Sequence, residues 1–404
     1  MPARWIAILS CTAALLGQEY LSPIGADDPA IRYFENTPED RVARLARRID
    51  RGEVKLAYRD DALGYLPSLL EHLGIRADSQ ALVFSKTSFQ STRISPANPR
   101  AIYFADDVAV GYVRGGEGIE LAATDPKLGT VFYTFDNQKF TRRDVCLKCH
   151  QGPATSGVPG VFVGSVFPGP TGTPAREGAI ITDHRTAFED RWGGWYVNAK
   201  RGEQRDRANA VASSPSDPGV LDTGGAQNLT NLMGRFSPSG YLSAVSDIVA
   251  LMTFEHQTQM INYMTRVGWE ARIPRDKGTD RDVEAMVRYM TFADEVPLKE
   301  PMEGVSTFTK TFPERGPRDK KGRSLRDFDL QKRLFRYPLS YMIYSAQFDG
   351  LPDRVRERIY QRLYEGLTGK DRDSRLAGLP EGERQAVLEI VRDTKTALPG
   401  YWRH

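Results

Sequence analysis

From Ala81 onward, apolar and polar residues alternate with a period of two in short runs separated by turn signals: Ala81 to Thr87, Ala101 to Asp106, Val108 to Arg114, Ile119 to Thr124 and Thr130 to Phe135. Connections this short predict an antiparallel meander of about four or five strands. Both flanks follow the helical period instead. Thr37-Pro38-Glu39-Asp40 supplies an N-cap, a first-turn proline and acidic residues. Val42, Leu45, Ala46 and Ile49 then share one face, and Gly52 closes the helix. A second short helix is expected over Leu66 to Leu73. A strong helix is expected from about Ser243 or Ser246 to Arg272, followed by helices over Asp282 to Asp294, Ser324 to Phe348 with an interruption at Pro338, Arg354 to Thr368 and Pro380 to Thr396. Short strands return at Ala179 to Thr182 and Gly194 to Asn198. The pattern predicts an α+β fold, with an N-terminal helix and antiparallel β-meander ahead of a helical C-terminal half.

Three stretches follow neither period. Residues 144–178 are punctuated by Gln151-Gly152-Pro153, Gly157-Val158-Pro159-Gly160 and Pro168-Gly169-Pro170, which reads as a long loop wrapped on something rigid. Residues 200–226 are polar and poor in large apolar side chains, as in a surface loop or flexible insert. The basic, proline-bearing Pro297 to Arg323 reads as a linker. The first residues, MPARWIAILSCTAALLG, place one Arg before an apolar run too short to span a bilayer, so 1–17 is expected to be an export signal, with lipidation at Cys11 the lesser reading. The expected regions are thus 1–17 (signal), 28–140, 141–272 and 282–404.

Composition narrows the partners. The 404 residues carry 55 Lys and Arg against 52 Asp and Glu, a net charge of +3 in mixed order, which gives no electrostatic footprint for nucleic acid. No segment after the leader approaches membrane-spanning length, so no integral membrane domain is expected in the mature chain. With three cysteines, a disulfide framework is excluded.

Two of those cysteines carry the chemistry. Cys146-Leu147-Lys148-Cys149-His150 is a Cys-x-x-Cys-His motif, the attachment sequence of c-type haem. Thiols three positions apart on one helical turn suit thioethers to two vinyl groups, and the adjacent imidazole then becomes the proximal iron ligand. One motif implies one haem. The competing readings are a zinc site, which lacks a second ligand pair, a thioredoxin-like redox pair, which Gln151-Gly152-Pro153 denies its following helix, and a Cys146–Cys149 disulfide, which is sterically poor. The 141–272 region is therefore expected to bind the haem, with the helical C-terminal half closing over it.

The sixth iron position decides between carrying electrons and performing chemistry. Among five histidines, His72 and His404 are expected to face solvent. His256 lies in the apolar stripe of its helix with Val249, Met252, Met260 and Tyr263, and His184 follows a strand in Thr182-Asp183-His184-Arg185. Both are candidate distal ligands, beside the bland readings of a satisfied core histidine and a strand end. Met233 is the loop methionine best placed for ligation, whereas Met252, Met260 and Met264 read as core filling. Arg185 and Arg191 are candidate partners for haem propionates.

With these motifs the chain resembles a family of exported bacterial mono-haem c-type cytochrome-domain proteins. The resemblance runs from about Arg48 to Gly366. It rests on Leu82-Val83-Phe84-Ser85-Lys86-Thr87-Ser88, Ile94-Ser95-Pro96, Arg100-Ala101-Ile102-Tyr103-Phe104, the haem motif, Thr182-Asp183-His184-Arg185, Arg191-Trp192-Gly193-Gly194-Trp195-Tyr196-Val197, Glu255-His256-Gln257 and the segment Arg336 to Tyr344. It implies covalent haem c and a periplasmic address, and supplies no substrate. Three functions stay open: electron transfer to a redox partner protein, a haem enzyme of peroxidase, oxygenase or isomerase type with an open distal site, and a haem-based sensor or binding module. The two candidate distal histidines favour the first. The second is favoured by a chain far larger than the hundred or so residues that a small cytochrome needs.

Overall fold

The period-two runs form one antiparallel sheet. A computed structural model describes residues 22–403 except 215–216, 224, 275–278 and 372–374. The expected leader, Cys11 and His404 lie outside the described residues. Strands β1 (Ala81–Val83), β2 (Arg100–Ala105), β3 (Val108–Tyr112), β4 (Ile119–Asp125), β5 (Gly129–Asp136) and β6 (Lys139–Arg142) pair in sequence order. A distant segment, β9 (Trp195–Tyr196), adds itself beside β1, giving the order β6-β5-β4-β3-β2-β1-β9. Smaller pairs are made by β7 (Val163–Ser165) with β8 (Ile180–Thr182), and by β10 (Ala212–Ser214) with β11 (Asp217–Leu221).

Because side chains alternate across a sheet, each face has its own core. Leu82, Tyr103, Val110, Leu121 and Tyr133 pack with α1 (Arg41–Asp50) and α2 (Leu66–His72) through Val42, Leu45, Leu66 and Leu69. The first helix starts later than its Thr37 signal suggests: the Asp40 carboxylate accepts from the amides of Val42 and Ala43, and its other oxygen accepts from the Tyr133 hydroxyl. On the opposite face, Phe104 meets Phe254 of α4 (Ile248–Arg272), ring centroids 4.8 Å apart.

Helix α4 is capped by Asp247 and is buried on all sides from Ile248 to Glu270. Its polar residues therefore need internal partners, and they hold other segments in place. Gln257 donates to the Ala105 carbonyl, Gln259 to Ser156, Asn262 to the Val161 carbonyl, and Arg266 to the Ser156 carbonyl. The last three bonds fasten the Gly/Pro-rich loop to the middle of the protein. Beyond α4 lie α5 (Thr279–Met290), α6 (Phe308–Glu314), α7 (Ala346–Asp349), α8 (Asp353–Leu367) and α9 (Glu381–Thr394). The protein is α+β, with a mostly helical C-terminal half.

Three expectations are corrected. The supposed linker 297–323 contains α6, whose Phe308 and Phe312 enter the main core. Residues 324–340 are irregular rather than helical: the chain folds back on itself through an antiparallel bridge between Phe328 and Phe335, so the buried Leu325, Leu334, Phe335 and Leu339 come from both arms of a turn instead of one helical face. The polar stretch 200–226 is partly internal, with Arg201 and Asp206 forming a buried ion pair at 2.8 Å. No helix among the described residues is long and apolar enough to cross a membrane.

Candidate haem-attachment site

Strand β6 delivers the chain to a 3-10 turn over Asp144–Cys146, which runs directly into the single turn α3 (Leu147–His150). The turn is fixed by the Arg143 amide donating to the Phe132 carbonyl, and by Leu147, which is buried in the core. Cys146 is half-buried, Cys149 is exposed, and both thiols are free. Burial, with Glu120 second, raises the Cys146 pKa. This is opposite to the activated thiolate of a thioredoxin-like pair.

His150 is held at one nitrogen, and among the described residues no partner engages the other. Its Nδ1 lies 3.0 Å from the Gly160 carbonyl, whose own amide donates back to the His150 carbonyl at 2.9 Å. A carbonyl can only accept, so the proton sits on Nδ1 and the Nε2 lone pair is left for a ligand. The ring packs against Phe132 and Phe162, with centroids 4.9 Å and 5.6 Å away. Burial lowers its pKa to about 4, which keeps the imidazole neutral at pH 7. Gly160 also lets α4 come close on its other side, since a Cβ there would lie 2.0 Å from Asn262 Oδ1.

The sheet beneath the motif is unusually bare. Phe132 pairs with Ala122, which pairs with Ala109, and Gly111 lies one row further on the same face. Ala109 and Ala122 are partly accessible, although they sit in the interior of a seven-stranded sheet. Two free thiols, an imidazole nitrogen open to a further partner and a floor of small residues would fit a flat, apolar macrocycle, which Cys146, Cys149 and His150 would hold. Among the described residues, no group of three or more His, Cys, Asp or Glu is placed to hold a metal ion by itself.

The other two candidate histidines are found together. His184 Nδ1 and His256 Nδ1 are 3.0 Å apart, and His256 Nε2 is 2.7 Å from Ser340 Oγ. Both rings are buried and stack on Tyr289 and Phe292. His256 thus has both nitrogens engaged, whereas the buried Nε2 of His184 has no partner. The two rings pack on each other and on Tyr289 and Phe292, whereas Phe132 and Phe162 pack on His150. Next to the pair, Glu255 Oε1 accepts from Thr182 Oγ1 at 2.5 Å and from Trp192 Nε1 at 2.9 Å. Sequence pattern alone misses this buried carboxylate; its signal is an acidic residue directly beside His256 in the middle of a long helix.

The candidate propionate partners are engaged nearby. Arg185 grips Asp183 through Nε and Nη2 and donates to the Tyr263 hydroxyl. Arg191 is only 1% exposed, donates to the Thr186 and His184 carbonyls, and lies 3.6 Å from Glu255 Oε2. Met233 is 87% exposed, whereas Met252, Met260 and Met264 are core residues. His72 ends α2 and is exposed.

This cluster gives the stability a defined pH response. Burial lowers the His256 pKa to about 3 and raises that of Glu255 to about 7. The depressed histidine contributes stability above its unfolded value of 6.5, and that contribution is lost as pH falls through about 3. The raised carboxyl works in the opposite sense: its contribution is present below its unfolded value of 4.5 and is lost as pH rises through about 7. Urea unfolding of Glu255→Gln between about pH 4.5 and 6.5 is therefore expected to rise more steeply with pH than that of the parent protein. An equal slope contradicts this assignment.

Compared with known proteins, the chain matches no family model, no curated protein and no solved structure.

Proposed function

We propose that this is a periplasmic c-type haem protein that binds one haem through Cys146 and Cys149, uses His150 as the proximal iron ligand, and transfers electrons to a redox partner protein. The observation that carries the reading is the state of His150: Nδ1 is fixed by the Gly160 carbonyl and Nε2 is bare, one residue from a free thiol. When bound, the haem supplies a one-electron couple. The protein's own part is to fix the imidazole's tautomer and direction, to offer a small-residue floor, and to leave the Cys149 edge in solvent. An exposed edge suits exchange with a partner. Between the two candidate distal ligands, His184 is preferred over His256, because only His184 has an unengaged nitrogen.

A second reading has its own support. His184 and His256 bond to each other, and His150 packs on Phe132 and Phe162 instead. This favours an open sixth position and a haem enzyme acting on peroxide or oxygen. Absorption and EPR spectra of the periplasmically expressed protein, as isolated and after dithionite, with and without carbon monoxide, separate the two. Electron transfer predicts six-coordinate low-spin iron that ignores carbon monoxide and turns high-spin in His184→Ala. High-spin iron or rapid carbon monoxide binding in the parent protein overturns it in favour of the enzyme.

A further inference from the structure

One ion pair beside the motif takes no part in holding His150 or the two thiols. Arg100, at the start of β2, reaches across β3 to Glu120 on β4, with Nη2 and Oε2 2.5 Å apart. The crossing needs Gly111, because a Cβ there would lie 2.2 Å from Arg100 Nη2. Glu120 pairs with Thr134 on β5, which puts it on the same face as Phe132, one row away from the ring that packs on His150.

The pair is incomplete. The side chains are only 21% and 17% exposed, yet Arg100 Nε and Glu120 Oε1 are buried without a hydrogen-bond partner. A buried polar atom left without a partner destabilises the fold unless something completes it. Arg185 and Arg191, by contrast, already donate to Asp183, Thr186 and His184. A guanidinium with spare donors, at the edge of a floor formed by Ala109, Gly111 and Ala122, is matched by the carboxylate of a macrocycle lying on that floor.

We propose that Arg100 binds a propionate of the haem, with Glu120 holding its guanidinium in place across Gly111. This rests on the haem reading of the Cys146–His150 motif. A cation beside the haem favours the ferrous state, so its loss lowers the midpoint potential, and loss of the carboxylate raises it.

The test uses the haem-loaded protein and three variants, Arg100→Leu, Arg100→Lys and Glu120→Gln. Each is measured by redox titration and by the propionate-bending band in resonance Raman spectra. Arg100→Leu is expected to shift that band and lower the potential, Arg100→Lys to shift the band while largely keeping the potential, and Glu120→Gln to raise the potential. A purely structural role for Arg100 would leave the propionate band where it is. If Arg100→Leu fails to fold, the lysine and glutamine variants carry the same test. Unchanged bands and potentials in haem-loaded variants overturn the proposal. A parent protein without covalent haem overturns the motif reading first, and this proposal with it.

Discussion

Replacing His150 by alanine is expected to remove the low-spin signal of the loaded protein completely and to reduce the yield of holoprotein, while haem that does attach stays covalently bound. The two thiols are untouched by the change, so the bonds that fix the haem survive. What is lost is the one imidazole whose Nδ1 is locked by the Gly160 carbonyl and whose Nε2 is bare. Its ring also fills the space between Phe132 and Phe162, so the variant opens a gap beside the floor. Absorption and EPR spectra of purified His150→Ala check the result, and an unchanged low-spin spectrum contradicts the proximal assignment.

The second large effect is on stability rather than on the iron. Arg191→Met is expected to cost about 3 kcal/mol, because a fully buried guanidinium is removed from two carbonyls and a carboxylate. The methionine keeps some contact with Phe188, whose ring lies 4.2 Å from the Arg191 guanidinium, but it leaves the His184 and Thr186 carbonyls without this donor. The double variant Arg191→Met with Glu255→Gln is expected to recover part of the loss, since the carboxylate then no longer lacks a cation. Urea midpoints measure both. The haem potential of the folded Arg191→Met protein is expected to stay near that of the parent; a clear fall with unchanged stability would return Arg191 to the role of propionate partner.

Local pattern carried a large part of the architecture. The alternation from Ala101 to Phe135 gave β2 to β5 nearly to the residue, since each strand has its partner next in sequence. Helix α4 was legible for a different reason: its length and apolar content outweigh its many polar residues. What local pattern cannot carry is distance. The edge strand Trp195–Tyr196 looked like a short isolated run, and only pairing with Val83 and Leu82 places it in the main sheet. Between Ser324 and Leu339 the apolar residues suggest a helix, but a bridge between Phe328 and Phe335 folds the chain back on itself, a non-helical pairing that local periodicity does not signal.

The site divides along the same line. Cys146, Cys149 and His150 are adjacent in sequence, so their spacing is itself the signal. His184 and His256 were each legible as unusual, yet their contact spans 72 residues, and no periodicity predicts that two such rings satisfy one another. Arg100 and Glu120 were missed for the same reason. The one local hint was Gly111, a glycine inside a strand, which signals a close approach by some other group.

The most direct test of the account is the intact mass and pyridine haemochrome spectrum of the protein expressed in a bacterial periplasm with the haem-attachment machinery. The account predicts one haem per chain, resistant to acid–acetone extraction and absent when Cys146 and Cys149 are both replaced by serine. A chain of unmodified mass with two titratable thiols in the parent protein would contradict it.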